Sequence, residues 1–122
     1  MSTSVLIVDD ESGFRAHAGR LLELRGFEVT GQADDGASAM ELARLLEPGA
    51  VLLDINLPDV SGLELAREIS CLPDPPRVLL TSADRQVTEA HVRACGAVGF
   101  VLKDELPTSD LRGLLEGRVE EA

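Results

Sequence analysis

Ser4-Val5-Leu6-Ile7-Val8-Asp9-Asp10-Glu11 opens the chain with an unbroken apolar run that stops at three acidic residues. The run is too short for a helix and rich in β-branched side chains. A continuous apolar run, unlike an alternating one, marks a strand buried on both faces, as in a parallel sheet. The same signature returns at Ala50-Val51-Leu52-Leu53, at Arg77-Val78-Leu79-Leu80 and at Gly99-Phe100-Val101-Leu102. Phe27-Glu28-Val29-Thr30-Gly31 is weaker and alternates, as an edge strand does.

Helical spacing fills the intervals. Phe14, Ala18, Leu21, Leu22 and Arg25 recur at steps of three and four, and Gly26 stops that helix. Ala37, Met40, Leu42, Ala43 and Leu46 form a second helix, ended by Pro48-Gly49. Leu63, Ala66, Arg67 and Ile69 form a third, ahead of Pro73 and Pro75-Pro76. Val87, Ala90, His91 and Ala94 form a fourth, closed by Gly96. Leu111, Leu114, Leu115 and Arg118 form a fifth, weakened by Gly113 and Gly117 and capped by Thr108 or Ser109. Strand and helix thus alternate five times. Right-handed crossovers turn that order into an α/β, doubly wound, five-stranded parallel sheet with helices on both faces. The strand order expected is 2-1-3-4-5, with a ligand site beyond the strand ends, where strands 1 and 3 part.

Composition narrows the function. The chain has 122 residues, the size of one domain spanning 1–122, and 44% are hydrophobic, enough for a core without metals or disulfides. A formal net charge of −11 argues against binding nucleic acid or an anionic membrane surface, both of which need clustered Lys and Arg. Cys71 and Cys95 have no metal-ligand spacing and read as reduced thiols. The N-terminus has no basic leader and its apolar run is too short for a signal or a membrane span, so a cytoplasmic location is expected. Ten arginines accompany a single lysine, Lys103, which asks what an ammonium does there that a guanidinium cannot.

The strand ends give an answer. Asp9, Asp10 and Glu11 follow strand 1, Asp54 closes strand 3, Thr81-Ser82 close strand 4, and Lys103 follows strand 5. One Asp at a strand end is ordinarily a helix cap or turn residue, and Asp10 or Glu11 suits that role. Three carboxylates converging at a switch point repel one another and call for cations. Oxygen-only ligands suit Mg²⁺. A compact ammonium acts as a point charge against carboxylate or phosphate, where Arg imposes a planar fork. Thr81 adds a hydroxyl donor. Such a set suits a carboxylate nucleophile attacking phosphorus, with cations offsetting the charge of the transferred group. Asp54 stands alone at the end of a central strand and is the candidate nucleophile, while Asp9 and Asp10 suit the metal.

Taken together, Val5-Leu6-Ile7-Val8-Asp9-Asp10-Glu11, Leu52-Leu53-Asp54-Ile55-Asn56-Leu57-Pro58-Asp59-Val60-Ser61-Gly62, Leu79-Leu80-Thr81-Ser82-Ala83 and Gly96-Ala97-Val98-Gly99-Phe100-Val101-Leu102-Lys103 resemble the receiver domain of bacterial two-component response regulators, over residues 4 to 118. The resemblance implies a flavodoxin-like fold and a signalling switch rather than an enzyme acting on outside substrates. It implies that Asp54 accepts a phosphoryl group from a sensor histidine kinase. Mg²⁺ would be held by Asp9, Asp10, Asp54 and the Asn56 carbonyl, with Asp9 acting mainly through water. Lys103 would pair with Asp54 and then with the phosphoryl group. Thr81 and Phe100 would be the switch pair, and the surface of helix 4, strand 5 and helix 5 the output face. Dimerisation on phosphorylation is the family expectation. Asn56 and Ala83 fall where the family tunes phosphoryl lifetime. Asp104 stands where the family often has Pro, a variant similar to receivers joined to a helix-turn-helix output domain. With its end at 122, the chain reads as a single-domain regulator or as the receiver of a longer protein. His17 and His91 read as solvated or half-buried helix residues, and Phe14 and Phe27 as core.

Three alternatives remain. A haloacid-dehalogenase-type phosphatase also uses an Asp nucleophile but carries a second Asp two residues on, where Asn56 stands. A flavodoxin-type cofactor binder needs a Ser/Thr/Gly-rich phosphate loop where Asp9-Asp10-Glu11 would repel it. A receiver-like module that binds partners without phosphorylation would not need the full acceptor set.

Overall fold

The computed structural model describes residues 2–85 and 87–117. Strands β1 (Ser4–Val8), β2 (Glu28–Ala33), β3 (Ala50–Asp54), β4 (Arg77–Ser82) and β5 (Gly99–Leu102) form one parallel sheet in the order β2-β1-β3-β4-β5. The doubly wound order expected from the apolar runs is the one observed. Helices α1 (Ser12–Leu24), α2 (Gly36–Leu46), α3 (Gly62–Ser70), α4 (Glu89–Ala94) and α5 (Leu111–Glu116) join the strands, and a 3₁₀ segment, Lys103–Thr108, adds a sixth helical element.

Strand alternation sorts the interior into two cores. Val5, Ile7, Leu52 and Leu79 pack with Ala18 and Leu22 of α1 and Leu111 and Leu115 of α5. Leu6, Val8, Val51, Leu53, Val78 and Leu80 pack with Ala39 and Ala43 of α2, Leu65, Ala66 and Ile69 of α3, and Val92 of α4. Successive side chains of one strand therefore serve opposite faces, which is why the central runs had to be apolar throughout. Each fully buried Leu or Ile contributes about 1.5–3 kcal/mol. β5 is half-buried along its length, as its place at the sheet edge requires.

Three boundaries differ from the sequence reading. β2 runs from Glu28 to Ala33, displaced toward its C-terminus, because Phe27 turns into the core and its N–H closes the end of α1 on Leu22. α5 is capped by Asp110, whose Oδ1 accepts from the Gly113 N–H, and not by Thr108 or Ser109. Those two hydroxyls instead donate to the Glu105 carbonyl, within the 3₁₀ segment that the sequence did not announce. Val87 precedes α4, which starts with a reciprocal cap between Thr88 and His91. Arg118, expected on the fifth helix, lies outside the described residues. Gly26 and Gly96 stop α1 and α4 at φ of 90° and 81°, where a side chain is strained. No helix among the described residues is long and apolar enough to cross a membrane.

Candidate functional site

Register decides what meets at the carboxyl rim. Val8 pairs with Leu53, and Asp54 pairs with Thr81. Asp9, Asp54 and Thr81 therefore stand in one row across β1, β3 and β4. Ser82 pairs with Leu102, which sets Lys103 one residue beyond on the β5 side. Asp9, Asp54, Thr81 and Ser82 are the buried polar residues of the described chain. All four lie at this rim.

The carboxylates converge. One oxygen from each of Asp9, Asp10 and Asp54 lies within 4.8 Å of the others, with Asp10 exposed. Lys103 Nζ sits 2.9 Å from Asp9 Oδ2, 2.9 Å from Glu11 Oε1 and 3.6 Å from Asp54 Oδ2. Its ammonium also lies 4.5 Å from the centroid of the Phe14 ring. A three-donor point charge can divide itself among carboxylates in this way, and a planar guanidinium cannot.

Electrostatics follow from the crowding. Burial is the largest influence on Asp54 and pushes its carboxyl up; the Asn56 N–H opposes this at 3.1 Å, Asp9 adds to it, Lys103 opposes it, and Asp10 adds to it. The balance is an Asp54 carboxyl above the usual range. Burial disfavours the Lys103 charge, but Asp9 and Glu11 at contact distance, with Asp54 behind them, more than offset it and hold the ammonium well above the ordinary lysine value. One cation thus fails to neutralise the group. A hard divalent ion suits the surplus oxygen charge, so the residues present fit Mg²⁺.

The remaining hydroxyls are arranged unequally. Thr81 Oγ1 is buried and finds no hydrogen-bond partner within the protein. The Ser82 Oγ accepts from Asn56 Nδ2 and from the Asp84 N–H, both at 3.3 Å, tying the loop after β3 to that after β4. Gly62 lets that first loop return. A Cβ there would lie 2.4 Å from Ile55 Cα and 2.5 Å from the Asp54 carbonyl oxygen.

The rim expected from the sequence is assembled as Asp9, Asp10, Asp54, Asn56, Thr81 and Lys103. Phe100 lies apart from it, half-buried against the α2–α4 core, in a shallow cleft with Val87 and Val92 of the α4 side. Neither Asp10 nor Glu11 caps α1 through its side chain. Glu11 holds the cap position, but its carboxylate is drawn to Lys103, and Asp9 Oδ1 accepts the Glu11 N–H instead. Glu11, Phe14 and Ser82 are the neighbours that sequence reasoning did not assign to the site. The sole signal for Glu11 was its place in the acidic triplet, and Phe14 read as core because its helical spacing is that of a core residue. His17 and His91 are exposed, Cys71 is exposed, Cys95 is buried, and both thiols are free.

Comparison with known proteins bears on this geometry. Residues 5–115 match the family model of the response regulator receiver domain. BvgA of Bordetella pertussis is 39% identical over 108 residues, covering 86% of this chain and 51% of that protein. The transcriptional regulatory protein DegU of Brevibacillus brevis is 36% identical over 102 residues, covering 82% and 43%. The chain thus spans about half the length of the curated relatives it matches. The solved signal receiver domain of NarL from Mycobacterium tuberculosis superposes with a TM-score of 0.82 at 36% identity, over 95% of each chain. A two-component response regulator of the LuxR family from Aurantimonas sp. SI85-9A1 gives 0.87 at 29% identity, over 97% of this chain and 88% of that one. By the family match, by these relatives and by the sheet order, the chain belongs to the response regulator receiver domains of two-component signalling.

Proposed function

We propose that the chain is a phosphorylation-dependent switch whose acceptor is Asp54. The observation that carries this is the convergence of Asp9, Asp10 and Asp54, with Lys103 set against Asp9 and Asp54, beside a Thr81 hydroxyl buried without a partner. An Asp54 oxygen attacks the phosphorus of a phosphohistidine on a sensor kinase. The new O–P bond replaces the P–N bond, whose electrons return to the imidazole. Mg²⁺ held by Asp9, Asp10, Asp54 and the Asn56 carbonyl would offset charge on the transferred oxygens. Lys103 follows the charge from the Asp54 carboxylate to the phosphoryl group, and Thr81 Oγ1 gains the acceptor it lacks. Phe100, beside Thr81's neighbour Leu80 in the ladder, is the residue able to turn into room that Thr81 vacates. The output face is α4, β5 and α5, and a second copy or an attached domain is its reader.

The chain on this reading turns over its own phosphoryl group and no outside substrate, and it acts in the cytoplasm. Its acidity leaves DNA contact to an output domain in any longer parent, as the transcription-regulator relatives suggest. The test is intact mass after incubation with a small phosphodonor, with and without Mg²⁺, on wild type and Asp54→Asn. The chain has no Trp or Tyr to report by fluorescence. One phosphoryl group gained with Mg²⁺ and lost in Asp54→Asn is the expected result. No gain in folded protein would refute the acceptor role, and release of phosphate from small esters would point to a phosphatase instead.

A further inference from the structure

Asp59 makes a contact that the acceptor chemistry does not require. Its Oδ1 accepts from the Gly36 N–H at 2.8 Å and its Oδ2 from the Ala37 N–H at 3.1 Å. These are the first two amides of α2, which have no partner inside their own helix. The third, Ser38, is taken by Asp35, the helix's own N-cap. The first turn of α2 is therefore capped by two carboxylates, one local and one from the loop between β3 and α3.

That loop carries Asn56, and it is strung between two anchors. On one side Asn56 Nδ2 reaches Ser82 of β4, and Asn56 bridges to Ser61 at the start of α3. On the other side Asp59 reaches α2. The approach is close: a Cβ at Gly36 would lie 2.3 Å from Val60 Cγ1 and 3.3 Å from Asp59 Oδ1. A side chain there would force Val60 to shift, so the glycine lets the helix start against the loop. The Gly36 amide is also the largest influence that holds the Asp59 carboxyl below the usual carboxylate range, with burial opposing and the Ala37 amide assisting. The carboxylate thus stays ionised and attached to the helix end well into acid.

We infer that Asp59 is a positioning residue for the cation site, clasping the β3–α3 loop to α2 so that the Asn56 backbone is held beside Asp9, Asp10 and Asp54. The inference rests on the reading that Asn56 contributes its carbonyl to Mg²⁺. Without the clasp, residues 57–60 lose their hydrogen bonds to α2 and the Asn56 carbonyl samples other positions, so binding must order the loop as well as seat the ion.

The experiment is calorimetric titration of Mg²⁺ into wild type, Asp59→Ala, Asp59→Asn and Asp35→Ala, with no phosphodonor present. Asp35→Ala removes the other cap of the same helix and leaves the loop alone. It is the control for mere loss of helix stability. Loss of a supporting group around metal ligands typically weakens binding by about 10-fold or more. Asp59→Ala is expected to reach that range, Asp59→Asn to fall between it and wild type because one carbonyl acceptor survives, and Asp35→Ala to bind as wild type does even where its melting temperature falls equally. Unchanged Mg²⁺ affinity in Asp59→Ala, or an equal loss in Asp35→Ala, overturns the clasp. If Asp59→Ala does not fold, Asp59→Asn against Asp35→Ala decides the matter in the same way. Wild-type protein that binds no Mg²⁺ would instead sink the metal reading on which the inference stands.

Discussion

Replacing Asp54 by Asn should make the metal-free protein more stable, although it removes the proposed acceptor. The magnitude can be worked from the rim. Carboxylate oxygens of Asp9, Asp10 and Asp54 lie within 4.8 Å of one another, and at that separation two unit charges repel by about 3.5 kcal/mol at an effective dielectric near 20. Lys103 at 3.6 Å returns about 4.6 kcal/mol to Asp54 on the same scale. Two repulsions therefore outweigh one attraction by roughly 2 kcal/mol, a figure that solvent around the exposed Asp10 reduces. Asn keeps an oxygen for the Asn56 N–H, carries no charge, and avoids the penalty of burying one. A gain of about 1–2 kcal/mol is expected, which for a domain of this size raises Tm by about 3–8 °C. The pH dependence has a definite sign. Asp54 is held above its ordinary value of 3.8, so the unfolded chain gives up this proton first as pH rises. Wild type therefore suffers no penalty below the ordinary value of 3.8 and acquires it as pH climbs from there to the raised folded value. The advantage of Asp54→Asn should vanish below the ordinary carboxylate range and grow as pH rises toward neutral. Added Mg²⁺ should shrink it, because binding at ten times Kd returns about 1.4 kcal/mol to wild type. The assay is thermal or urea denaturation followed by far-UV circular dichroism, in chelator and then in Mg²⁺. A variant no more stable than wild type in chelator at neutral pH, or an advantage independent of pH, would refute the reasoning.

Thr81→Val should stabilise the unphosphorylated protein by about 1 kcal/mol, because it replaces a buried hydroxyl that has no partner with a methyl of similar size. The same variant should still gain mass from a phosphodonor yet show no phosphorylation-dependent change in hydrogen exchange at β4 and β5. Gly62→Ala should destabilise by more than about 3 kcal/mol, since the contacts at 2.4 and 2.5 Å are with backbone that cannot rotate away. Gly13→Ala, in an exposed turn of α1 with nothing within 4 Å of the new Cβ, should instead add about 0.5–1 kcal/mol, read by the same urea transition.

The sheet was legible because burial on both faces leaves a mark that nothing else imitates. Val5 to Val8 and Val51 to Leu53 are fully buried, and a run of that kind cannot be written in polar residues. Once those runs were placed in order, chirality left one arrangement to expect, and the rim residues followed from strand ends. β2 was less legible because an edge strand answers to one face only, and Thr30, Gly31 and Gln32 carry no apolar alternation. The cap of α5 was misread because Thr108 and Ser109 are good cap residues that a nearer carbonyl, that of Glu105, claimed first. The Glu11 contact with Lys103 spans 92 positions and the Asp59 contact with Gly36 spans 23. Neither periodicity nor a short motif encodes such pairs, which exist only when the sheet has brought the ends of different strands together.

The features that the sequence made most visible are also those that the resting protein accommodates at a loss. Carboxylates that repel and a buried hydroxyl without a partner are both locally unfavourable, and the two cores on either side of the sheet hold them in place. On the proposed reading the two defects share a remedy. A divalent cation would answer the carboxylates, and the oxygens of an added phosphoryl group would give Thr81 an acceptor beside Lys103. That one small anion and one cation would satisfy both is the physical reason to read the rim as a switch poised between two states rather than as two unrelated flaws.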